Sequence, residues 1–176
     1  MFTAHPELIA DTFNRGNQKQ GAQQKALAAS VATFATQLVD PEAPDPVMML
    51  DRIAHKHVSL GITADQYQIV HDNLMAAIVE VLGDAVTPEV AEAWDKVYWL
   101  MADVLIKHEG KLYESDGVEA GDVFRTATVT EKTQLSDTVY AYTLEGDFTA
   151  PRPGQYTSVG VKLPDGARQL RQYSII

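Results

Sequence analysis

The chain has 176 residues and a formal net charge of -10, from 14 Lys+Arg against 24 Asp+Glu. That is length for one sizeable core and part of a second, since domains cluster around ~100–150 residues, and the charge leaves no basic stripe to hold nucleic acid or an anionic membrane. The absence of cysteine excludes disulfides, thiolate catalysis, iron–sulfur clusters and thiolate-held zinc, so any metal must be bound by His, Asp, Glu or Tyr. Met1 to Ala10 has neither a basic n-region nor an apolar h-region, and no apolar run approaches the ~18 residues that span a bilayer. The expected location is the cytoplasm, and the expected partners are small molecules or redox partners.

The first ~120 residues read as helical. After a turn containing Gly16 and Gly21, Leu27, Val31, Phe34 and Leu38 recur at helical spacing. Gln23 lies one turn before Leu27 and falls on the inward face, where a polar group needs a partner. The run Asp40-Pro41-Glu42-Ala43-Pro44-Asp45-Pro46 then breaks the chain. In the next helix, at about 100° per residue, Leu50, Ile53, Ala54 and His57 fall in one stripe, with His55 turned away and Lys56 on a flank. Gly61 ends that helix, and Thr63 followed by Gln66 has the form of a capping box opening another.

The stripe of this third helix is Tyr67, Val70, His71, Leu74, Ile78 and Val81. His71 is therefore a second inward histidine, and periodicity does not choose between it and His57 as a ligand. As a packed residue His71 would bond a backbone carbonyl. Gly83 closes the helix, and Thr87-Pro88 places a proline at a first helical position, where its missing N–H costs nothing. Val90, Trp94, Val97, Tyr98, Met101, Leu105 and Leu112 then form a long apolar stripe. Glu109, one turn beyond Leu105, falls on nearly the same side, although spacing alone favours an exposed charge near a fraying helix end.

After Tyr113 a polar linker with Gly117 and Gly121 leads into a stretch where the period drops from about 3.6 to about 2. Phe124–Thr130, Thr138–Leu144, Gln155–Leu163 and Arg168–Ile176 read as strands of an antiparallel sheet, with turns at Pro151-Arg152-Pro153-Gly154 and Pro164-Asp165-Gly166. Roughly fifty-five residues in a few strands are marginal as an independent domain, so this second unit reads as unfinished.

A helical unit with an inward histidine, an inward glutamine on an earlier helix and inward aromatics resembles a globin pocket. The motifs Ile53-Ala54-His55-Lys56-His57, Gln66-Tyr67 with Ile69-Val70, Ala93-Trp94 with Tyr98, and Gly154-Gln155-Tyr156 leading to Arg171-Gln172-Tyr173-Ser174 occur in order. Together they resemble the flavohaemoglobins over essentially the whole chain. The resemblance implies a multidomain protein: an all-α globin-like domain, incomplete, over 1–114, a linker over 115–121, and the start of an antiparallel β-barrel of the ferredoxin-reductase FAD-binding type over 122–176. Family members add an NAD(P)H-binding domain and act as nitric oxide dioxygenases. They pass reducing equivalents from NAD(P)H through FAD to haem b and convert nitric oxide and O2 to nitrate.

By the same resemblance, His57 is the proximal iron ligand, and Tyr67 and Glu109 are a catalytic pair that hydrogen-bonds it. A carboxylate accepting from the imidazole N–H raises ligand basicity and favours oxygen activation over storage. Phe13 packs on the porphyrin edge, Gln23 is the distal polar residue, and Lys56 lies at the haem–flavin junction. Arg171 takes the FAD pyrophosphate, Tyr173 the isoalloxazine face, and Ser174 the flavin's reactive edge through its hydroxyl or backbone, with Gln172 and Tyr156 contributing. The resemblance also implies that the first globin helices, with the family's distal tyrosine, and the NAD(P)H domain lie outside these residues, which alone would not turn over NAD(P)H. The alternative is a gas-binding or gas-sensing globin whose β segment is a non-catalytic interaction or linker element.

Overall fold

A computed structural model of the chain describes residues 22–40 and 42–176, and the side chains of 22–24 fall outside that description. Phe13 and the Gln23 side chain therefore lie outside the described residues. The elements are α1 (Ala22–Val39), α2 (Pro46–Val58), α3 (Gln66–Leu82), a 3-10 turn (Gly83–Ala85), α4 (Pro88–Ser115), β1 (Thr128–Gln134), β2 (Tyr140–Glu145), β3 (Tyr156–Lys162) and β4 (Arg168–Ser174). Among the described residues no helix is long and apolar enough to cross a membrane.

Local chemistry sets the helix ends. Asp45 caps α2 by accepting from the Val47 N–H at 2.8 Å, with Pro46 in the first turn. Thr87 caps α4 by accepting from the Val90 N–H at 3.3 Å, ahead of Pro88. The expected capping box at α3 forms by half: Gln66 Oε1 accepts from the Thr63 N–H at 3.0 Å, but the Thr63 hydroxyl donates to Asp65 at 2.5 Å rather than to the helix. Past the end of α2, the His57 carbonyl accepts from the N–H groups of both Leu60 and Ile62. This turn requires Gly61 at φ +73°, where a Cβ would also come within 2.9 Å of the Gly121 carbonyl oxygen in the linker.

The core is made by Val31 and Phe34 of α1, Leu50 and Ala54 of α2, Tyr67 of α3, and Tyr98, Met101, Ala102 and Leu105 of α4. Each large apolar side chain buried there contributes about 1.5–3 kcal/mol, and α4, the longest helix, supplies the surface on which the others pack. The apolar stripes read from the sequence stop short at two positions. Leu38 is 44 % and Val81 80 % exposed, because both sit in the last turn of their helices, past the packed core.

The strands form two separate antiparallel hairpins rather than one sheet. β1 pairs with β2 from Thr128↔Glu145 to Gln134↔Tyr140, with a bulge between Val129 and Glu131. β3 pairs with β4 from Tyr156↔Ser174 to Lys162↔Arg168. The expected strand start at Phe124 moves to Thr128. Arg125 folds back onto the Asp122 carbonyl and carboxylate at 3.1 and 3.0 Å, which offers the backbone an alternative to a ladder, while the Phe124 ring lies 3.6 Å beneath the Arg168 guanidinium.

Candidate functional site

α2, α3 and α4 bring three side chains together at one point. His57 Nδ1 lies 2.8 Å from Glu109 Oε1 and 3.0 Å from the Tyr67 hydroxyl, which itself donates to Glu109 Oε1 at 2.6 Å. The hydrogen count follows. The single Tyr67 proton goes to Glu109, so the short contacts at Nδ1 place the imidazole proton there, shared toward the two oxygens. Nε2 is then the lone-pair nitrogen, and it has no hydrogen-bond partner among the described residues. Glu109 is 3 % exposed, so the inward placement prevails over an exposed charge at a fraying end, and its carboxylate is satisfied by two donors.

Burial drives the Tyr67 phenol far above its ordinary pKa, and the hydrogen bond to Glu109 and its charge push the same way. Tyr67 is thus a permanent proton donor. Its position is held from the backbone side as well, because the Tyr98 hydroxyl donates to the Tyr67 carbonyl at 2.7 Å. Further along α4, the Tyr113 hydroxyl donates to the Ile62 carbonyl at 2.7 Å and pins the turn that follows His57. Sequence reading took Tyr98 for an apolar stripe residue and gave Tyr113 no role. The available signal was that a buried tyrosine hydroxyl must find a partner.

His71, the rival inward histidine, is held by Asp72 at Nδ1 (2.9 Å) and Asp95 at Nε2 (2.8 Å), not by the backbone carbonyl expected. Both its nitrogens are engaged and its side chain is only 14 % exposed, packed on the Tyr98 and Trp99 rings at 5.1 Å. Desolvation lowers its pKa, but the two carboxylates more than offset this, and the net shift is upward. With both ring nitrogens held by carboxylates, neither faces an open position.

His57 is half-buried, with Leu50 and Ala54 buried in the same stripe, while Lys56 beside it is exposed, as is His55. In the hairpin of β3 and β4, register divides the candidate flavin residues. The pairs Thr157↔Tyr173 and Val159↔Arg171 put Tyr173 and Arg171 on one face, and Tyr156↔Ser174 and Ser158↔Gln172 put Tyr156, Ser174 and Gln172 on the other. All five are exposed, Tyr156 at 61 % and Tyr173 at 47 %, and Arg171 donates to the neighbouring Leu170 carbonyl at 2.7 Å.

Packed helices thus hold a histidine that is fixed at Nδ1 and has Nε2 without a hydrogen-bond partner among the described residues, the arrangement of a ligand-type imidazole on an all-helical scaffold. The globin family profile matches residues 1–105, and the chain belongs to the globin family. It is 44% identical over 182 residues to a flavohemoprotein of Rhizobium meliloti, an alignment covering 99% of this chain and 44% of that protein. The chain thus spans less than half the length of the curated relatives it matches. Among solved structures, it is similar to flavohemoglobin from Malassezia yamatoensis with bound FAD and heme, at a TM-score of 0.85 and 38% identity over 99% of this chain and 46% of that one. A bacterial globin from Campylobacter jejuni matches at a TM-score of 0.57 and 32% identity, covering 65% of this chain and 78% of that one. The resemblance to flavohaemoglobins, and the succession of globin helices and antiparallel strands it implied, are borne out.

Proposed function

We propose that His57 holds a haem iron through Nε2, and that the chain is the globin and flavin-adjacent part of a haem- and FAD-dependent nitric oxide dioxygenase. The parent would use O2 and NAD(P)H to convert nitric oxide to nitrate in the cytoplasm. The observation that carries this reading is the 2.8 Å contact from His57 Nδ1 to a buried carboxylate, a donor set that suits haem iron. It fixes the tautomer, frees Nε2, and gives the imidazole the anionic character that favours oxygen activation over simple gas storage. When bound, haem supplies the oxygen chemistry and FAD divides the two electrons of a hydride into single ones.

The chain's own residues hold and tune. Glu109 orients the His57 ring and takes hydrogen-bond density from Nδ1; Tyr67 anchors Glu109, and Tyr98 anchors Tyr67. Phe13 is assigned to the porphyrin edge, Gln23 to the distal side and Lys56 to the junction with the flavin unit, on the resemblance alone. In the hairpin, Arg171 and Tyr173 share a face and are suited to a pyrophosphate and a flat ring. Ser174 and Gln172 point the other way, so the register favours their backbone, rather than their side chains, on the Tyr173 side. Residues 1–114 would form the haem unit, 115–121 the linker and 122–176 the flavin unit, with NAD(P)H bound by a further domain of the parent.

Haem titration followed by the Soret band tests the ligand. The 176-residue chain should take up haem, and His57→Ala should weaken uptake by at least about tenfold. Unchanged affinity in that variant would overturn the ligand assignment. For the activity, NADH- or NADPH-dependent nitric oxide consumption is measured on the full-length parent and on this chain. Turnover by the parent alone is expected, with Glu109→Gln slowing it while retaining haem. A parent holding haem without stoichiometric FAD would instead mark a gas-binding or sensing globin.

A further inference from the structure

A second group of ligand-type side chains lies outside the His57 cluster. Asp51 and His55 sit one turn apart on α2, and His108 reaches them from α4. One ligand atom from each lies within 4.8 Å of the others. His108 Nε2 is 2.8 Å and His55 Nδ1 3.6 Å from the same Asp51 oxygen, while the two imidazole rings stand edge to face at 6.0 Å. His55 Nδ1 is also 2.9 Å from the Asp51 backbone carbonyl. We infer that Asp51, His55 and His108 form a surface site for a divalent transition-metal ion of the zinc class, clipping α2 to α4.

The donor chemistry selects the ion. Two imidazoles and one carboxylate suit Zn2+ and its neighbours, whereas Mg2+ and Ca2+ prefer oxygen ligands throughout. Tetrahedral zinc, with bonds of about 2.0–2.2 Å, needs its ligand atoms roughly 3.3 Å apart. Asp51 and His55 are more than half exposed, at 51 % and 58 %, and His108 is partly exposed at 34 %, so they can close that difference by rotation without disturbing the core. Loading would replace the hydrogen bond at His55 Nδ1 by a metal bond, with the ring proton moving from Nδ1 to Nε2. The exposed side leaves room for water as the fourth ligand. Because His55 is two residues from His57, and His108 adjoins Glu109, one ion would tie together the two helices that present the imidazole and its carboxylate.

The test is a competition titration of the full chain with Zn2+ against a chromophoric chelator, with and without added haem, so that zinc taken by His57 is displaced and zinc at the clip is not. One haem-insensitive Zn2+ per chain is expected. Asp51→Asn, His55→Ala and His108→Ala should each weaken it by at least about tenfold, and the double variant His55→Ala with His108→Ala should abolish it, with an unchanged far-UV spectrum. Co2+ should give tetrahedral visible absorption in the wild type and lose it in the double variant. No uptake at about tenfold excess of Zn2+, or uptake equal in the double variant, or uptake wholly displaced by haem, overturns the site.

Discussion

Removing one oxygen from Tyr67 isolates the energy of the buried cluster. Tyr67→Phe leaves the ring packed where the residue is 7 % exposed and leaves the Tyr98 bond to the Tyr67 carbonyl intact, but deletes the donor 2.6 Å from Glu109. A hydrogen bond to a charged group contributes about 1.5–3 kcal/mol net, and burying the abandoned acceptor without a partner adds to the loss. Against this, the hydroxyl's own desolvation is saved, and His57 remains as one donor to Glu109. The balance is a destabilisation of about 2 kcal/mol. Urea unfolding followed by fluorescence of the two tryptophans, Trp94 and Trp99, reports it, since both lie on α4; at typical slopes the midpoint should fall by about 1 M. Combined with Glu109→Gln, the pair should show a coupling energy of at least about 1 kcal/mol. A Tyr67→Phe chain within about 0.5 kcal/mol of wild type, or additive energies in the double variant, would refute the reasoning.

The other expectations follow from single positions. His71, whose pKa is raised above its ordinary 6.5 by Asp72 and Asp95 despite desolvation, contributes stability that is whole below pH 6.5 and is lost as pH rises through the higher folded-state value. The unfolding midpoint should therefore fall as pH rises above 6.5, and His71→Gln should flatten that slope; an unchanged slope in the variant counts against it. Gly61→Ala forces a side chain into a left-handed conformation with its Cβ 2.9 Å from the Gly121 carbonyl, so a loss of about 1–3 kcal/mol is expected in the same assay. Asp45→Ala removes the 2.8 Å cap on α2 and should cost about 1 kcal/mol, with Asp45→Asn recovering most of it.

Much of the fold is local chemistry that the sequence determines by itself. Pro46 after Asp45, Pro88 after Thr87 and the glycines at 61 and 83 mark where helices begin and end, because caps and positive φ angles depend only on neighbouring residues. Helical spacing likewise placed Leu50, Ala54 and His57 inward and His55 outward. Pattern over-reached at Leu38 and Val81, where periodicity continues but the opposing surface does not. It also merged two hairpins into one sheet, since alternation records faces and not which strand lies alongside.

His57 and His71 have the same periodic signature, and only the tertiary structure shows which partners each ring meets. Glu109 reaches His57 from 52 residues away and Asp95 reaches His71 from 24, and no local rule encodes which carboxylate meets which ring. The same holds for the register that sets Arg171 and Tyr173 on one face, and for His108, which meets Asp51 across 57 residues. The order of residues decides each helix and its faces. The packing of those helices decides which imidazole nitrogen is left free, because freedom to bind a metal depends on partners that are close only in space.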